Sequence, residues 1–292
     1  MGRPGHGAAD PARVASALVD MGGLLPVGLL DEAIARLFGE NDRAPRPAAA
    51  TAAATPPSGA PAAPLPTGGV EWDRMAGDAR AALTAGMRAA VGMIVIDFPS
   101  VYAADAQDYI SKGLAFRDAM KGEALLHFCF APHAPYTVND EHLSQVATYA
   151  SELDLPVQIH LHETLTEIEQ SLAKHGVRPL QRLQNAGLLN TGLIAVHAVH
   201  LTAGEIALLA RYGCHVAHCP TSNLKLASGI APVRAMLEAG INVGLGTDGA
   251  ASNNRLDMFA EMRLAALLAK GSSGDATALP AWQALEMATI NG

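Results

Sequence analysis

Histidines dominate the residues that could do chemistry in this 292-residue chain. Ten of the eleven histidines lie between His127 and His218. Many stand at the ends of apolar runs of strand length, namely His133, His160, His162, His197, His200 and His218. Asp248 follows the last such run. Imidazole nitrogens and carboxylate oxygens are ligands of zinc and similar divalent cations. The pattern therefore indicates a metal site with acid–base chemistry.

The segment from His160 to Glu163 has the most informative spacing. His160 and His162 are two residues apart, so both would face the same side of a strand. Glu163 lies just beyond that strand, where a carboxylate can take the proton of a metal-bound water and pass it on. Standing alone, Glu163 would instead be interpreted as an acid that complements the dipole of the following helix.

Two further histidine pairs follow. His197 and His200 close the next strand, and His200 is the better functional candidate because it lies in the turn. His197 is expected to pack in the interior or to support another group. His215 and His218 are three residues apart across a strand end and would face different ways, so we expect them to be mainly structural.

These residues must be positioned by alternating strands and helices, a pattern that starts after residue 75. The predicted strands are 91–97, 125–130, 156–162, 193–197, 214–218 and 241–246. The predicted helices are 104–120, 140–153, 165–174, 203–212, 233–239 and 256–270. Continuous apolar strands between helices indicate a parallel sheet that is buried on both faces. Six such units favour a barrel, whose active site lies at the carboxyl ends of the strands, although a closed barrel needs eight strands.

The part of the chain before this pattern is unlike the rest. Residues 1–43 are an atypical, glycine-rich segment. Residues 44–70 are rich in alanine and proline, so we expect a disordered linker without a core. Residues 75–292 would form the incomplete barrel domain.

Composition excludes several classes of protein. A net charge of −8 and 16% charged residues argue against a basic nucleic-acid-binding protein. An apolar run of about twenty residues is absent, so a spanning helix is not expected, and no secretory signal is visible at the start. The three cysteines lack paired spacing, which favours the reducing cytoplasm over a disulfide framework.

Five motifs carry a resemblance to a known family. In chain order they are APHAPYTV (131–138), IHLHET (159–164), VHAVHL (196–201), HCPTSN (218–223) and GTDGAASNN (246–254). Together they resemble the amidohydrolase superfamily, in particular its TRZ/ATZ branch and the methylthioadenosine/S-adenosylhomocysteine deaminases. The resemblance implies an α/β fold of the TIM-barrel-like (β/α)8 metal-dependent hydrolase type. The six predicted strands would be the third to the eighth of that barrel.

The resemblance also implies a role for each site residue. His160 and Asp248 would bind the metal, which would be Zn²⁺ or another divalent ion such as Fe²⁺ or Mn²⁺. Glu163 would shuttle protons and contact substrate, and His200 would hold and polarise the attacking hydroxide. Asp248 would also accept a proton from the water, and His133 would contact substrate. His162 is not a ligand in this pattern.

The implied reaction is deamination of an adenosine-type nucleoside with release of ammonia. The partner would be a small purine nucleoside, not nucleic acid or membrane, and a homo-oligomer is possible by resemblance. Other reactions of the branch stay open: deamination of guanine, 8-oxoguanine or a triazine, or dechlorination of a triazine. Arg117 does not match the arginines that bind nucleoside in the thioadenosine deaminases.

The first strand of the family carries a His-x-His pair that supplies two metal ligands, and this chain has no such pair before residue 127. It also ends where the family would continue into a last helix and a small β domain. We therefore expect an incomplete member that binds metal poorly and turns over slowly or not at all. The alternative from another class is a non-catalytic remnant with a binding role.

Overall fold

The fold is described by a computed structural model, which covers residue 77 and residues 79–292. Within this range a six-stranded, all-parallel sheet has its strands in the order of the chain. The strands are β1 (Ala89–Val95), β2 (Leu126–Pro132), β3 (Val157–Leu161), β4 (Leu193–His197), β5 (His215–His218) and β6 (Asn242–Leu245). The predictions for residues 1–43 and 44–70 lie outside the described residues.

Helices connect successive strands, as the alternating pattern predicted. From β1 to β6 they are α1 (Ala106–Met120), α2 (Asp140–Leu153), α3 (Leu165–His175), α4 (Pro179–Asn185), α5 (Ala203–Tyr212), α6 (Pro220–Lys225) and α7 (Val233–Glu238). After β6 come α8 (Ala250–Asn253), α9 (Met258–Ser273) and α10 (Ala281–Met287). The predicted incomplete α/β barrel is confirmed by this series of parallel strand–helix units. Four short helices, α4, α6, α8 and α10, were not predicted, because segments this short show no clear helical period.

Local signals set the ends of the central helices. At Thr202 a complete capping box begins α5, and Gly213 ends the same helix in the left-handed region with φ of 66°. At Thr164 the hydroxyl accepts the N–H of Glu167 and so begins α3, which ends at Gly176 with φ of 72°. Thr164 with Glu167 and Thr202 with Glu205 have the capping-box spacing, and glycine favours the left-handed end of a helix, so the sequence itself predicts both starts and both stops.

The core lies on both sides of the sheet, as expected for buried parallel strands. Phe116 of α1 meets Phe128 of β2 edge to face at a ring distance of 6.0 Å. On β2, Phe130 is fully buried and stacks on Tyr149 of α2 at 6.4 Å. Burying each such ring contributes about 1.5–3 kcal/mol, so these contacts hold the first strand–helix units together and fix the strand ends.

The carboxyl ends of three strands contain an uncommon backbone conformation. His162 after β3, His197 at the end of β4 and Asp248 after β6 have φ of 53°, 70° and 62°. Residues with a side chain rarely adopt this left-handed conformation, which costs about 1–2 kcal/mol each. Such strained residues concentrate at functional sites. In the described part of the chain no helix is both long enough and apolar enough to cross a membrane.

Candidate active site

Three imidazole rings lie in a row at the carboxyl ends of β2, β3 and β4. The rings of His133 and His160 are 5.0 Å apart. The rings of His160 and His197 are 5.4 Å apart and nearly parallel, with an interplanar angle of 21°. The histidines that end three neighbouring strands therefore lie close together.

Hydrogen bonds fix the tautomers of two of these rings. The Nδ1–H of His160 donates to the backbone oxygen of His133 at 2.6 Å. In the same way, the Nδ1–H of His197 donates to Oδ1 of Asn223 at 2.8 Å. A neutral ring with its proton on Nδ1 carries its lone pair on Nε2. In both residues Nε2 is therefore the nitrogen that can act as a ligand or a hydrogen-bond acceptor.

Glu163 lies in the turn between β3 and α3 and points toward His197. Its Oε1 accepts a hydrogen bond from the Ser228 hydroxyl at 3.1 Å. Its Oε2 is 3.8 Å from Nε2 of His197. That Nε2 atom is buried and has no hydrogen-bond partner among the residues that the structure describes. A buried polar atom of this kind calls for an explanation, and a bound group between the two side chains would supply its partner.

Asp248 lies after β6 in a set of hydrogen-bond donors. The hydroxyls of Ser222 and Ser252 both donate to Oδ2, at 2.5 and 2.9 Å. The backbone N–H of Gly249 donates to Oδ1 at 2.7 Å. These three donors fix the orientation of the carboxylate.

Burial and neighbouring charges act in opposite directions on the pKa of His160. Burial lowers the pKa of this histidine, and the nearby ring of His197 lowers it further. The charges of Glu163 and Asp248 raise the pKa, which shows that both lie within electrostatic range of the ring. The net direction is downward, so His160 is neutral near pH 7, the form that binds metal ions.

His200 is placed differently from the expectation. Its Nε2–H donates to the backbone oxygen of Ser228 at 2.7 Å, so this ring supports the loop that carries Ser228. The ring beside Glu163 is that of His197, which was expected to pack in the interior or to support another group. The geometry favours exchanging the roles of these two histidines.

His162 faces away from the other rings despite its spacing from His160. Its ring is fully buried, and Nε2 accepts the backbone N–H of Leu180 at 3.2 Å. Burial lowers the pKa of His162 to about 4. The left-handed turn at this residue breaks the alternation that the strand would have given. Its side chain therefore joins β3 to α4.

His133 begins the loop between β2 and α2. Its Nδ1 is hydrogen-bonded to the hydroxyl of Thr137 at 2.9 Å, and Tyr136 lies edge-on at 5.8 Å. The buried Arg182 of α4 donates to the backbone oxygens of Pro135 and Val138 and so holds this loop against the domain. A fixed ring beside His160 is consistent with a substrate contact.

The fit of these residues to a metal is partial. His160 and Asp248 are the right donor types, and His160 has the Nδ1–H···O=C support that is typical of metal-binding histidines. A catalytic zinc ion normally takes three protein ligands. Among residue 77 and residues 79–292 there is no group of three or more His, Cys, Asp or Glu side chains that could hold a metal ion. The described residues do not by themselves complete a metal site.

Several supporting residues were not singled out from the sequence. Ser222 and Asn223 lie in the HCPTSN motif and Ser252 lies in GTDGAASNN, so the motifs contained a signal for them. Ser228 gave no such signal, because its contact to Glu163 spans 65 residues. Glu167 has the capping-box spacing from Thr164, but that spacing did not predict its contacts to the amides of His162 and Glu163.

Comparisons with known proteins agree with this architecture. The model of the amidohydrolase family matches residues 48–292. The chain is 53% identical to a 5-methylthioadenosine/S-adenosylhomocysteine deaminase of Teredinibacter turnerae over 208 residues. This aligned stretch covers 71% of this chain and 47% of the relative. Its counterpart in Saccharophagus degradans is 51% identical over 213 residues, or 73% of this chain and 48% of the relative.

Solved structures show the same relationship. A zinc-bound adenosine deaminase from Xanthomonas campestris is 47% identical with a TM-score of 0.73, covering 74% of this chain and 49% of that one. A guanine deaminase from C. acetobutylicum with bound guanine is 26% identical with a TM-score of 0.67, covering 75% of this chain and 55% of that one. The chain spans about half the length of the curated relatives it matches. Because the family model matches most of its residues, this chain belongs to the amidohydrolase family.

Proposed function

We propose that the chain carries part of the active site of a metal-dependent aminohydrolase. Its substrate is an adenosine-type nucleoside resembling methylthioadenosine or S-adenosylhomocysteine, and its products are the hydroxylated purine and ammonia. The observation that carries the proposal is the convergence of Glu163 and His197 beside the ring of His160. The names of the relatives support this substrate class.

His160 and Asp248 are the proposed metal ligands, and the metal is Zn²⁺, Fe²⁺ or Mn²⁺. Zinc is named with the similar structure from Xanthomonas campestris. These two ligands fall short of the three that a catalytic zinc ion usually takes.

Glu163 is the proposed proton carrier. Hydrolytic deamination moves a proton from the attacking water to a ring nitrogen and then one to the leaving amine. A carboxylate that contacts both water and substrate can make both transfers. Ser228 holds Oε1 of Glu163, so Oε2, the oxygen nearer His197, is the one that exchanges protons.

His197 is proposed to orient the attacking water, the role that the family resemblance implied for His200. Asn223 keeps the ring proton on Nδ1, so Nε2 faces the space beside Glu163. Asp248, oriented by its three donors, accepts a proton from the water. His133 contacts the purine.

The experiment that tests the function is an ammonia-release assay. The purified chain, supplied with excess Zn²⁺ or Mn²⁺, is incubated with methylthioadenosine, S-adenosylhomocysteine, guanine, 8-oxoguanine and a triazine. We expect slow deamination of the first two only, reduced at least about 100-fold by Glu163→Gln. Deamination of guanine or the triazine alone would favour the other reactions of the branch. Equal rates for wild type and E163Q would indicate a non-catalytic remnant.

The exchanged histidine roles are tested by a matched pair of variants. We expect His197→Asn to lower the rate at least about 100-fold and His200→Asn to lower it by about tenfold or less. The opposite order would restore the assignment to His200.

For localisation we propose the reducing cytoplasm. Cys129, Cys214 and Cys219 are buried and form no disulfide within the described residues, and reduced thiols are typical of reducing compartments. Burial also raises the pKa of the Cys129 thiol to about 11, which keeps it unreactive.

A further inference from the structure

A buried carboxylate next to the site has no role in the chemistry proposed above. Glu167 belongs to the first turn of α3 and is only 4% exposed. Burial raises its pKa, whereas the hydrogen bonds from the N–H groups of His162 and Glu163 favour the ionised form and act against that shift. A buried carboxyl group is costly unless its hydrogen bonds compensate for the lost water, so the partners of Glu167 indicate why it is there.

Its partners are two consecutive backbone amides of the turn after β3. The N–H of His162 donates to Oε1 at 3.0 Å, and the N–H of Glu163 donates to Oε2 at 2.9 Å. Each carboxylate oxygen therefore holds one amide. The capping-box spacing predicted that this carboxylate would bond the N–H of Thr164, but the side chain reaches the two residues before it.

This turn needs to be held. His162 has φ of 53° in the left-handed region, which a residue with a side chain adopts only when its surroundings impose it. The backbone angles at His162 and Glu163 set the direction in which the Glu163 side chain leaves the chain. A shift here would move its Oε2 away from Nε2 of His197, now 3.8 Å distant.

A simple helix-capping role does not account for these contacts. The hydroxyl of Thr164 already caps α3 by accepting the N–H of Glu167. Glu169, on the same helix, is exposed to water. The two amides held by Glu167 belong to the turn before the helix and not to the helix itself.

We propose that Glu167 is a positioning residue. Its carboxylate accepts hydrogen bonds from the amides of His162 and Glu163, a pair of contacts that we call the clasp, and these contacts direct the Glu163 side chain toward the site. The role of Glu163 rests on the proposed function, whereas the clasp itself is tested without any activity.

The first test is hydrogen exchange of individual amides in the full chain, followed by NMR. Glu167→Gln keeps one acceptor oxygen but turns an NH₂ group toward the other amide, and Glu169→Gln is the matched control. We expect the amides of His162 and Glu163 to exchange at least about tenfold faster in E167Q than in wild type or E169Q. Unchanged exchange at both amides would overturn the clasp.

Thr164→Ala separates the clasp from the helix cap. It should speed exchange in the first turn of α3 and leave the amides of His162 and Glu163 protected. If the amides of His162 and Glu163 exchange as fast in T164A as in E167Q, the helix cap at Thr164 is enough to explain their protection, and the proposal is wrong. If E167Q does not fold, the exchange rates of the wild-type chain test the clasp instead. Slow exchange of the amides of His162 and Glu163 would support the clasp, and exchange as fast as that of exposed amides would refute it.

The second test separates positioning from binding in the deamination assay. We expect E167Q to lower kcat at least about tenfold and to leave KM within about twofold. A displaced Glu163 side chain would slow proton transfer but would not weaken substrate binding. Faster amide exchange with unchanged kcat would refute the positioning role. A wild-type chain that deaminates nothing would contradict the proposed function, and the exchange experiment would still decide the clasp.

Discussion

The buried histidine at the end of β5 makes the stability of the fold depend on pH. His218 is 1% exposed. Burial, followed by the nearby ring of His197, lowers its pKa to about 3. In the unfolded chain a histidine has a pKa of about 6.5. Below that value the unfolded chain binds a proton that the folded chain does not, so stability is present above about pH 6.5 and is lost as the pH falls toward 3.

The size of this loss follows from the linkage relation. Between pH 7 and pH 5 the unfolded histidine becomes almost fully protonated while the folded one stays neutral. Integrating the proton difference over this interval gives about 2 kcal/mol. This loss of free energy is nearly the same for any pKa of His218 in the folded chain that lies well below 5. The loss is a large share of the 5–15 kcal/mol that stabilises a typical domain.

Urea unfolding at pH 7, 6 and 5 measures this effect in wild type and His218→Gln. Glutamine does not titrate, so we expect the drop in the free energy of unfolding between pH 7 and 5 to be about 2 kcal/mol smaller in the variant. His127→Gln is the control, because this side chain of β2 is already exposed in the folded chain. The same drop in H218Q and wild type would refute the reasoning.

Two further predictions concern groups that hold the site in place. Ser222→Ala removes a donor from Asp248, and we expect affinity for Zn²⁺ to fall at least about tenfold in a competition titration; the same affinity as in the exposed control Ser272→Ala would contradict this. Arg182→Met leaves two backbone oxygens of the loop after β2 without their charged donor, so we expect urea unfolding to show a loss of about 3 kcal/mol. If the loss of free energy of unfolding is no larger than in the exposed control Arg255→Met, the loop after β2 does not depend on Arg182 for its stability.

The sequence predicted the strand–helix framework because that framework depends on local patterns. Every predicted strand is present, with ends shifted by at most about two residues. The helix starts at Thr164 and Thr202 are local as well, since each cap involves residues three apart. The short helices at Pro179–Asn185 and Pro220–Lys225 were not predicted because they are defined by their packing and not by a repeating apolar face.

The site was only partly predictable, because its details depend on backbone turns and distant partners. The roles of His197 and His200 were assigned on the assumption that a strand residue packs inward and a turn residue reaches the site. In the structure His197 and Ala198 are both left-handed, with φ of 70° and 48°, and no residue pattern indicated this. The bond from Ser228 to Glu163 spans 65 residues, a separation at which local spacing carries no information.

The left-handed residues at the ends of β3, β4 and β6 also limit how this protein can be engineered. Glycine adopts that conformation freely, so mutagenesis that selects only for heat resistance would favour it there. Glycine at position 197 or 248 would delete a side chain on which the proposed chemistry depends. Stability and activity are therefore in direct competition at these two positions, and thermostabilising mutations should be sought on the outer helices instead.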